Sequence, residues 1–406
     1  MKHQLAKYDA YKDSGVEWLG EVPEHWGMKR VKDLALLQSG DSIISEQIED
    51  EGPYPVYGGN GLRGYFSRYT NNGDHILIGR QGALCGNINY AHGKFWASEH
   101  AVVVYLNSGV VMKWYGEMLK VMNLNQYSLS AAQPGLAMDR IKRLLLPVPP
   151  LPEQSAIAAY LDTKTTLIDR KIDLLTQKAT QYSKLKQSLI NETVTRGLDK
   201  TMAMKDSGIE WIGEVPEHWA VERIGTAFEE RRERVNDTDY PPLSVTMKGI
   251  VPQLDTAAKT DHNDNRKRVS IDDFVINSRS DRRGSSGISE LNGSVSVINI
   301  VLAPRKYFYG KYLHHLFRSY RFIEEYYRVG RGIVDDLWTT KYTVMKAINF
   351  AFPDFEEQKA IADYLDTKTT HIGRIIETIN TQIEKLKELR KTLINDVVTG
   401  KIKVPQ

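Results

Sequence analysis

A chain of 406 residues can bury two or three separate hydrophobic cores, and its 41% hydrophobic and 26% charged fractions are those of an ordinary soluble globular protein. Its 54 basic against 51 acidic residues leave a formal charge of +3, which admits an acidic partner but is far from the basicity of a protein that coats DNA by charge alone. With no apolar run of eighteen residues, no charged-then-apolar leader and a single cysteine, Cys85, the sequence points away from membrane insertion, secretion, disulfides and thiolate metal sites and toward the cytoplasm.

The first distinctive segment is "DSGVEWLGEVPEHW" at 13–26, which returns at 206–219 as "DSGIEWIGEVPEHW" with twelve of fourteen positions identical. Between 53 and 106, β-type runs such as "HILIG" and "HAVVVYL" alternate with glycine- and asparagine-rich turns, and helical spacing follows around 109–123. A proline-rich entry, "LPVPPLPEQ" at 146–154, then leads into "IAAYLDTKTTLIDR" at 157–170. Here Leu161, Ile168, Leu175, Tyr182 and Leu189 recur every seven residues with Ile172 and Ala179 between them, the stripe of a helix of roughly 40 residues. Glu153 and Gln154 suit its first turn, and Gly197 its end.

The second half repeats this order. After 206–219, "DDFVIN" and "SVSVINIVL" supply β-type runs within 243–303, helical spacing returns at 310–327, and "AFPDFEEQ" at 351–358 opens "IADYLDTKTTHIGR" at 361–374. That phrase matches its counterpart at eleven of fourteen positions, and Leu365, Ile372, Ile379, Leu386 and Leu393 continue the heptad with Ile376, Ile383 and Val397, ending at Gly400. The chain therefore reads A–B–A′–B′, with no alignable similarity between the intervening segments 27–145 and 220–350. A single stripe of this kind could pack on its own domain, whereas two equivalent stripes in one chain favour packing on each other.

Few catalytic signals survive inspection. Gly59-x-Gly61-x-x-Gly64 has the glycine spacing of a dinucleotide loop, but no helix follows it, so a turn-rich loop is the simpler reading. Pro353, Asp354, Glu357 and Lys359 imitate a nuclease signature yet sit at a helix start, where capping explains them. His25 beside Glu24 and His218 beside Glu217 match no zinc spacing and, with Trp18, Trp26, Trp211 and Trp219, read as structural. No catalytic residues and no metal ligands are expected. What remains is polar loops: Asn60, Arg63, Arg80, Gln81 and Asn87 in the first half, and Arg279, Arg282, Arg283, Ser285 and Ser286 in the second. Arg, Asn and Gln can bond base edges bidentately, while Ser and glycine-exposed amides suit phosphates; any one of these residues could equally be a solvated turn.

Two variable domains, each led by the tryptophan phrase and followed by a Pro–"EQ"–"IAxYLDTKT" helix, resemble the specificity subunit of type I restriction–modification systems. The resemblance covers essentially the whole chain. It implies an α+β architecture in which 1–150 and 199–352 are β-rich target recognition domains. It further implies that 151–198 and 353–406 are helices of an antiparallel coiled coil in a pseudo-twofold repeat. It implies double-stranded DNA with a bipartite, asymmetric site as ligand, and two methyltransferase subunits and restriction (translocase/endonuclease) subunits as partners. No cofactor would reside in this chain; methyl donor, ATP and Mg would lie on the partners. The competing expectation is a non-catalytic coiled-coil scaffold with two protein- or carbohydrate-binding domains.

Overall fold

The computed structural model describes residues 6–128, 135–255, 264–332 and 338–405. Two compact units form, one from residues 1–174 with 381–406 and one from residues 175–380. Each unit contains one variable segment, one copy of the tryptophan phrase and part of each long helix, so the division crosses the helices instead of falling at the proline-rich entries. The cause is that each helix anchors one end in one core and continues into the other.

The long helices span Leu151–Arg196 and Phe355–Val398, 46 and 44 residues. Pro152 lies in the first turn, where a missing N–H costs nothing. The Gln154 side chain links two strands of the entry, donating to Pro149 O at 3.0 Å and accepting from Val111 N at 3.0 Å. Gln358 does the same with Pro353 O and Tyr309 N, both at 3.0 Å. Gly197 and Gly400 end the helices with φ of 74° and 78°, the left-handed conformation that favours glycine.

Along the heptad stripes, Leu161, Leu365, Ile372, Ile379 and Ile383 are buried. Ile168, Ile172, Leu175, Tyr182, Leu189, Ile376, Leu386 and Leu393 are half-buried between mostly exposed neighbours. In the first unit, Ile157 and Leu161 share a core with Ile394, Val397 and Val398, while Arg390 donates to Asp169 at 2.9 Å. Residue numbers rise along one helix as they fall along the other, which is antiparallel pairing. In the second unit, Leu189, Ile190 and Val194 join Ile361, Ala362 and Leu365 in one core.

The variable segments turn out to share a topology. In the first unit an antiparallel sheet runs in the order Ala35–Ser39, Ala101–Leu106, His75–Gly79, Ile88–Ala91. In the second, Phe228–Glu230, Asn299–Pro304, Phe274–Asn277 and Ser286–Ile288 repeat that order and sense. The central strands are continuous apolar runs buried on both faces, and apolar content alone suffices for such a sheet, so the two can keep one topology while losing alignable identity. A helix covers each sheet. Met112–Val121 buries Trp114, Tyr115, Met118 and Leu119.

Two elements differ from expectation. The helical run at 310–327 breaks into Gly310–Phe317 and Tyr320–Arg328 because Ser319 caps the second helix, its Oγ accepting from Phe322 N at 3.3 Å. "SVSVINIVL" is two strands, Gly293–Ser296 and Asn299–Pro304, in different sheets, with exposed Val297 and Ile298 at the turn.

The packing at Gly400 gives a test. A Cβ there would lie 2.4 Å from Pro23 Cδ and 3.0 Å from the Trp26 ring, whereas one on Gly15, also at positive φ, would meet nothing within 4 Å. Gly400→Ala should therefore destabilise the first unit by roughly 2–4 kcal/mol, against about 1 kcal/mol for Gly15→Ala. Chemical denaturation of both variants checks it, and equal losses would mean that the packing is unimportant.

Candidate nucleic-acid interface

The frame that positions the loops is built on one carboxylate per unit. Glu153 lies in the first turn of the first long helix and is buried. Its oxygens accept from the Tyr8 hydroxyl and from Trp26 Nε1 at 3.1 Å, and His25 Nε2 lies 2.9 Å away. Burial, and then the neighbouring Glu153, push the Tyr8 hydroxyl well above its ordinary pKa, so it stays a donor. In the second unit Glu357 accepts from Trp219 Nε1 at 3.2 Å, with His218 Nε2 at 2.7 Å. Each clasp also receives the end of the other long helix: Gly400 abuts Pro23 and Trp26, and Gly197 abuts Pro216, Trp219 and Glu357. The chain ends meet here too, Lys403 N donating to Ala6 O at 2.8 Å. The "PEHW" residues are thus structural, and Asp354, which accepts from Glu357 N at 2.9 Å, is a helix cap.

In the first unit, "GGNG" is the turn between Tyr54–Gly58 and Gly61–Phe66, not a nucleotide loop. It packs backbone to backbone: a Cβ on Gly79 would sit 2.0 Å from Gly59 O, and one on Gly59 would sit 3.0 Å from Gln81 O. Asn60, Arg63, Gln81 and Asn87 are exposed around this contact. Asn87 Nδ2 donates to Asn60 Oδ1 at 3.0 Å, joining two loops that are 27 residues apart in sequence. Arg80 is half-buried and donates to Ser39 Oγ at 3.1 Å; Arg63 reaches Ser45 Oγ at 3.4 Å. The structure brings Asn60, Gln81 and Asn87 together and holds Arg80 against the sheet.

The second unit places the loop 278–285 where the first has 80–87. Each leaves the third strand of its sheet and is bridged by a later segment, Gln81 to Gly135 and Arg279 to Thr339. Arg279 and Arg282 are exposed. Arg283 is engaged by Glu324 at 2.7 Å and lies over the Tyr327 ring at 5.3 Å, an anchor for the loop. Ser285 and Ser286 are 5% and 0% exposed, turned inward by the strand that begins at Ser286, so phosphate contact from their hydroxyls is not available.

Sequence reading missed the basic strand Arg266–Val269. Arg266 is buried, donating to Ser294 Oγ at 2.8 Å and Ser294 O at 3.0 Å, and burial lowers its pKa. Arg231 binds Asp273 through two bonds of 2.8 and 3.0 Å, and Arg268 pairs with Glu233 at 3.1 Å. The cue available in sequence was the run Arg266–Lys267–Arg268, set against the mixed Arg and acidic residues of 229–239. These cations are largely spent on internal pairs. Burial also drives His314 down to about 3, keeping it neutral beside Arg318. Among the described residues no cluster of three His, Cys, Asp or Glu is arranged to hold a metal, and no helix is long and apolar enough to cross a membrane.

Two domains of one topology, each clasped by a histidine–tryptophan phrase on a helix-start carboxylate but carrying different loops, define a chain built on a repeated frame. Residues 23–181 match the type I restriction modification DNA specificity domain. The EcoprrI type I restriction enzyme specificity subunit of Escherichia coli is 40% identical over 186 residues, covering 45% of this chain and 44% of that protein, less than half of that relative's length. The putative MjaX specificity subunit of Methanocaldococcus jannaschii is 25% identical over 95% of this chain and 96% of that one. Among solved structures, a chain from work on complex assembly and conformational transition of the type I R-M system superposes with a TM-score of 0.69 at 15% identity, covering 93% and 98% of the two chains. The HsdS subunit from Thermoanaerobacter tengcongensis gives 0.52 at 14% identity, over 96% and 100%. Over residues 23–181 and along the relatives with which it aligns, the chain is similar to type I restriction–modification specificity subunits.

Removing the clasp carboxylate should cost more than removing an ordinary hydrogen bond. Glu153→Ala strands the buried Trp26 and Tyr8 donors, an expected loss of about 3 kcal/mol, since each unsatisfied buried group costs ~1–3 kcal/mol. Urea unfolding of the variant measures it; a change under ~0.5 kcal/mol, the size expected for an ordinary surface substitution, would contradict the role given to Glu153.

Proposed function

We propose that the chain is the non-catalytic DNA-specificity subunit of a type I restriction–modification complex, working in the cytoplasm. Each unit reads one half of a bipartite, asymmetric double-stranded site. The repeated frame docks two methyltransferase subunits, and the assembly accepts restriction subunits; methyl donor, ATP and Mg are carried by those partners. The observation that carries this reading is that one topology presents different loop chemistry at matching positions, with the exposed amide Gln81 in one unit and the exposed guanidinium Arg279 in the other. Two equivalent frames suit two identical partners, and two unlike loops suit two unlike half-sites. The match of residues 23–181 to the specificity-domain family, the likeness to named specificity subunits and the shared fold of the solved structure support it.

Affinity should fall steeply with salt, as counterion release requires. Arg279→Ala should relax one half-site by ~1–3 kcal/mol and leave the other half-site unchanged. Arg282→Ala is expected to act on that same half-site. Methylation-site mapping in a host carrying the partner genes, with and without this chain, gives the site; the Arg279 variant gives the assignment of half to unit. A site independent of this chain, salt-insensitive binding, or methyl transfer by the purified chain alone would overturn the proposal.

A further inference from the structure

The DNA-reading proposal leaves open what each unit recognises, and the loops of the first unit carry an answer that rests on that proposal. We propose that the first unit reads an A·T base pair through the amide pair Asn60–Asn87.

Both residues are exposed, and both are held by rigid backbone. Asn60 sits at the tip of the Gly58–Gly61 turn, whose Gly61 has φ of 103° and whose Gly59 lies against the backbone of Gln81 and His100. Asn87 closes the loop that begins at Arg80: its carbonyl accepts from Gly79 N at 2.9 Å and its N–H donates to Leu84 O at 3.1 Å. Asn125 fixes the same loop from beneath, Nδ2 donating to Cys85 O at 2.9 Å. Little freedom is left for the amides themselves, because Asn87 Nδ2 donates to Asn60 Oδ1 at 3.0 Å.

That bond uses one donor and one acceptor of the pair. A primary amide has two N–H groups and one oxygen, so the remainder is the Asn87 oxygen as acceptor, both Asn60 N–H groups as donors and the second Asn87 N–H. Adenine presents in the major groove a donor, N6–H₂, beside an acceptor, N7, which matches this set. Guanine presents two acceptors, N7 and O6, so the Asn87 oxygen would face O6 without a proton between them. Of the two purines, adenine alone uses both the Asn87 oxygen and a donor of the pair, which is the basis of the preference. Arg63, exposed and arched over Gly58, supplies positive charge at the edge of the same turn, suited to phosphate. The matching place in the second unit has no such amides among the described residues: Asn277 is 7% exposed, and Arg279 stands where the first unit has Gln81.

The test uses the full chain with its partner subunits and the site mapped from methylation. In Asn60→Ala and Asn87→Ala, one A·T position of a single half-site should become degenerate, preference falling at least ten-fold, and this half-site should be the one that Arg279→Ala leaves untouched. Asn87→Asp, an acceptor without the paired donor, should move that position toward cytosine, whose N4–H₂ is a donor. Because an altered turn could reduce folding, the wild-type complex is also tested on DNA carrying 7-deazaadenine at each adenine in turn. Binding should weaken about ten-fold at one adenine of that half-site, and the sensitivity should vanish in Asn60→Ala, which removes the donor to N7. The inference is overturned if no adenine shows this dependence, if the Ala variants retain the wild-type site, or if the relaxed position is a G·C pair. In all three cases a bipartite site is still bound; absence of any specific site would instead overturn the DNA-reading proposal.

Discussion

Each unit is organised by a carboxylate in the first turn of a long helix, buried at Glu153 and half-buried at Glu357. A lone carboxylate in such a place would be strongly disfavoured, and the chain answers with fixed donors. Trp26 with His25 serve Glu153, and Trp219 with His218 serve Glu357. The indole N–H and the imidazole come from one short phrase, which forces that phrase onto the helix start. Its proline and tryptophan then form the surface on which the other helix ends, at a glycine that no larger residue could replace without a shift. Three distant parts of the sequence are fixed at one point in each unit.

The same constraint accounts for what is repeated and what is not. Residues that meet at the clasp tolerate little change, because each contact fixes geometry for two elements, and these are the near-identical phrases at 13–26 and 206–219. The sheets behind the loops need only apolar strands, so they have drifted beyond alignment while keeping strand order. Loops at the open edge are under neither constraint. They are where an exposed amide, Gln81, in one unit and an exposed guanidinium, Arg279, in the other stand at matching positions.

Modest net charge is consistent with this arrangement. Many cations of the second unit are paired internally: Arg231 with Asp273, Arg268 with Glu233, Arg283 with Glu324. Pairing holds the loops in shape more than it supplies a field. Affinity for DNA would then rest on a few exposed guanidiniums and on the assembled complex, and specificity on the loops' geometry.

Heptad spacing, proline entries, terminal glycines and two repeated phrases are local signals, and from the sequence alone they defined two long helices and a duplicated frame and carried the resemblance to type I restriction–modification specificity subunits. Hydrophobic period is imposed by helix geometry itself, so it survives in one dimension. The break at Ser319 and the turn at Val297–Ile298 were also local, but their cues were single residues inside strong apolar patterns. Only the tertiary structure decided which candidate loop residues are exposed: it turned Ser285 and Ser286 inward, committed Arg283 to Glu324 and Tyr327, and brought Asn60 against Asn87. It also decided that the two unalignable segments share one strand order, and that the histidine–tryptophan phrase serves a carboxylate more than a hundred residues away. Side-chain identity fixes what a group can donate or accept, but burial and partners depend on contacts between distant segments, and those are set by the packed fold.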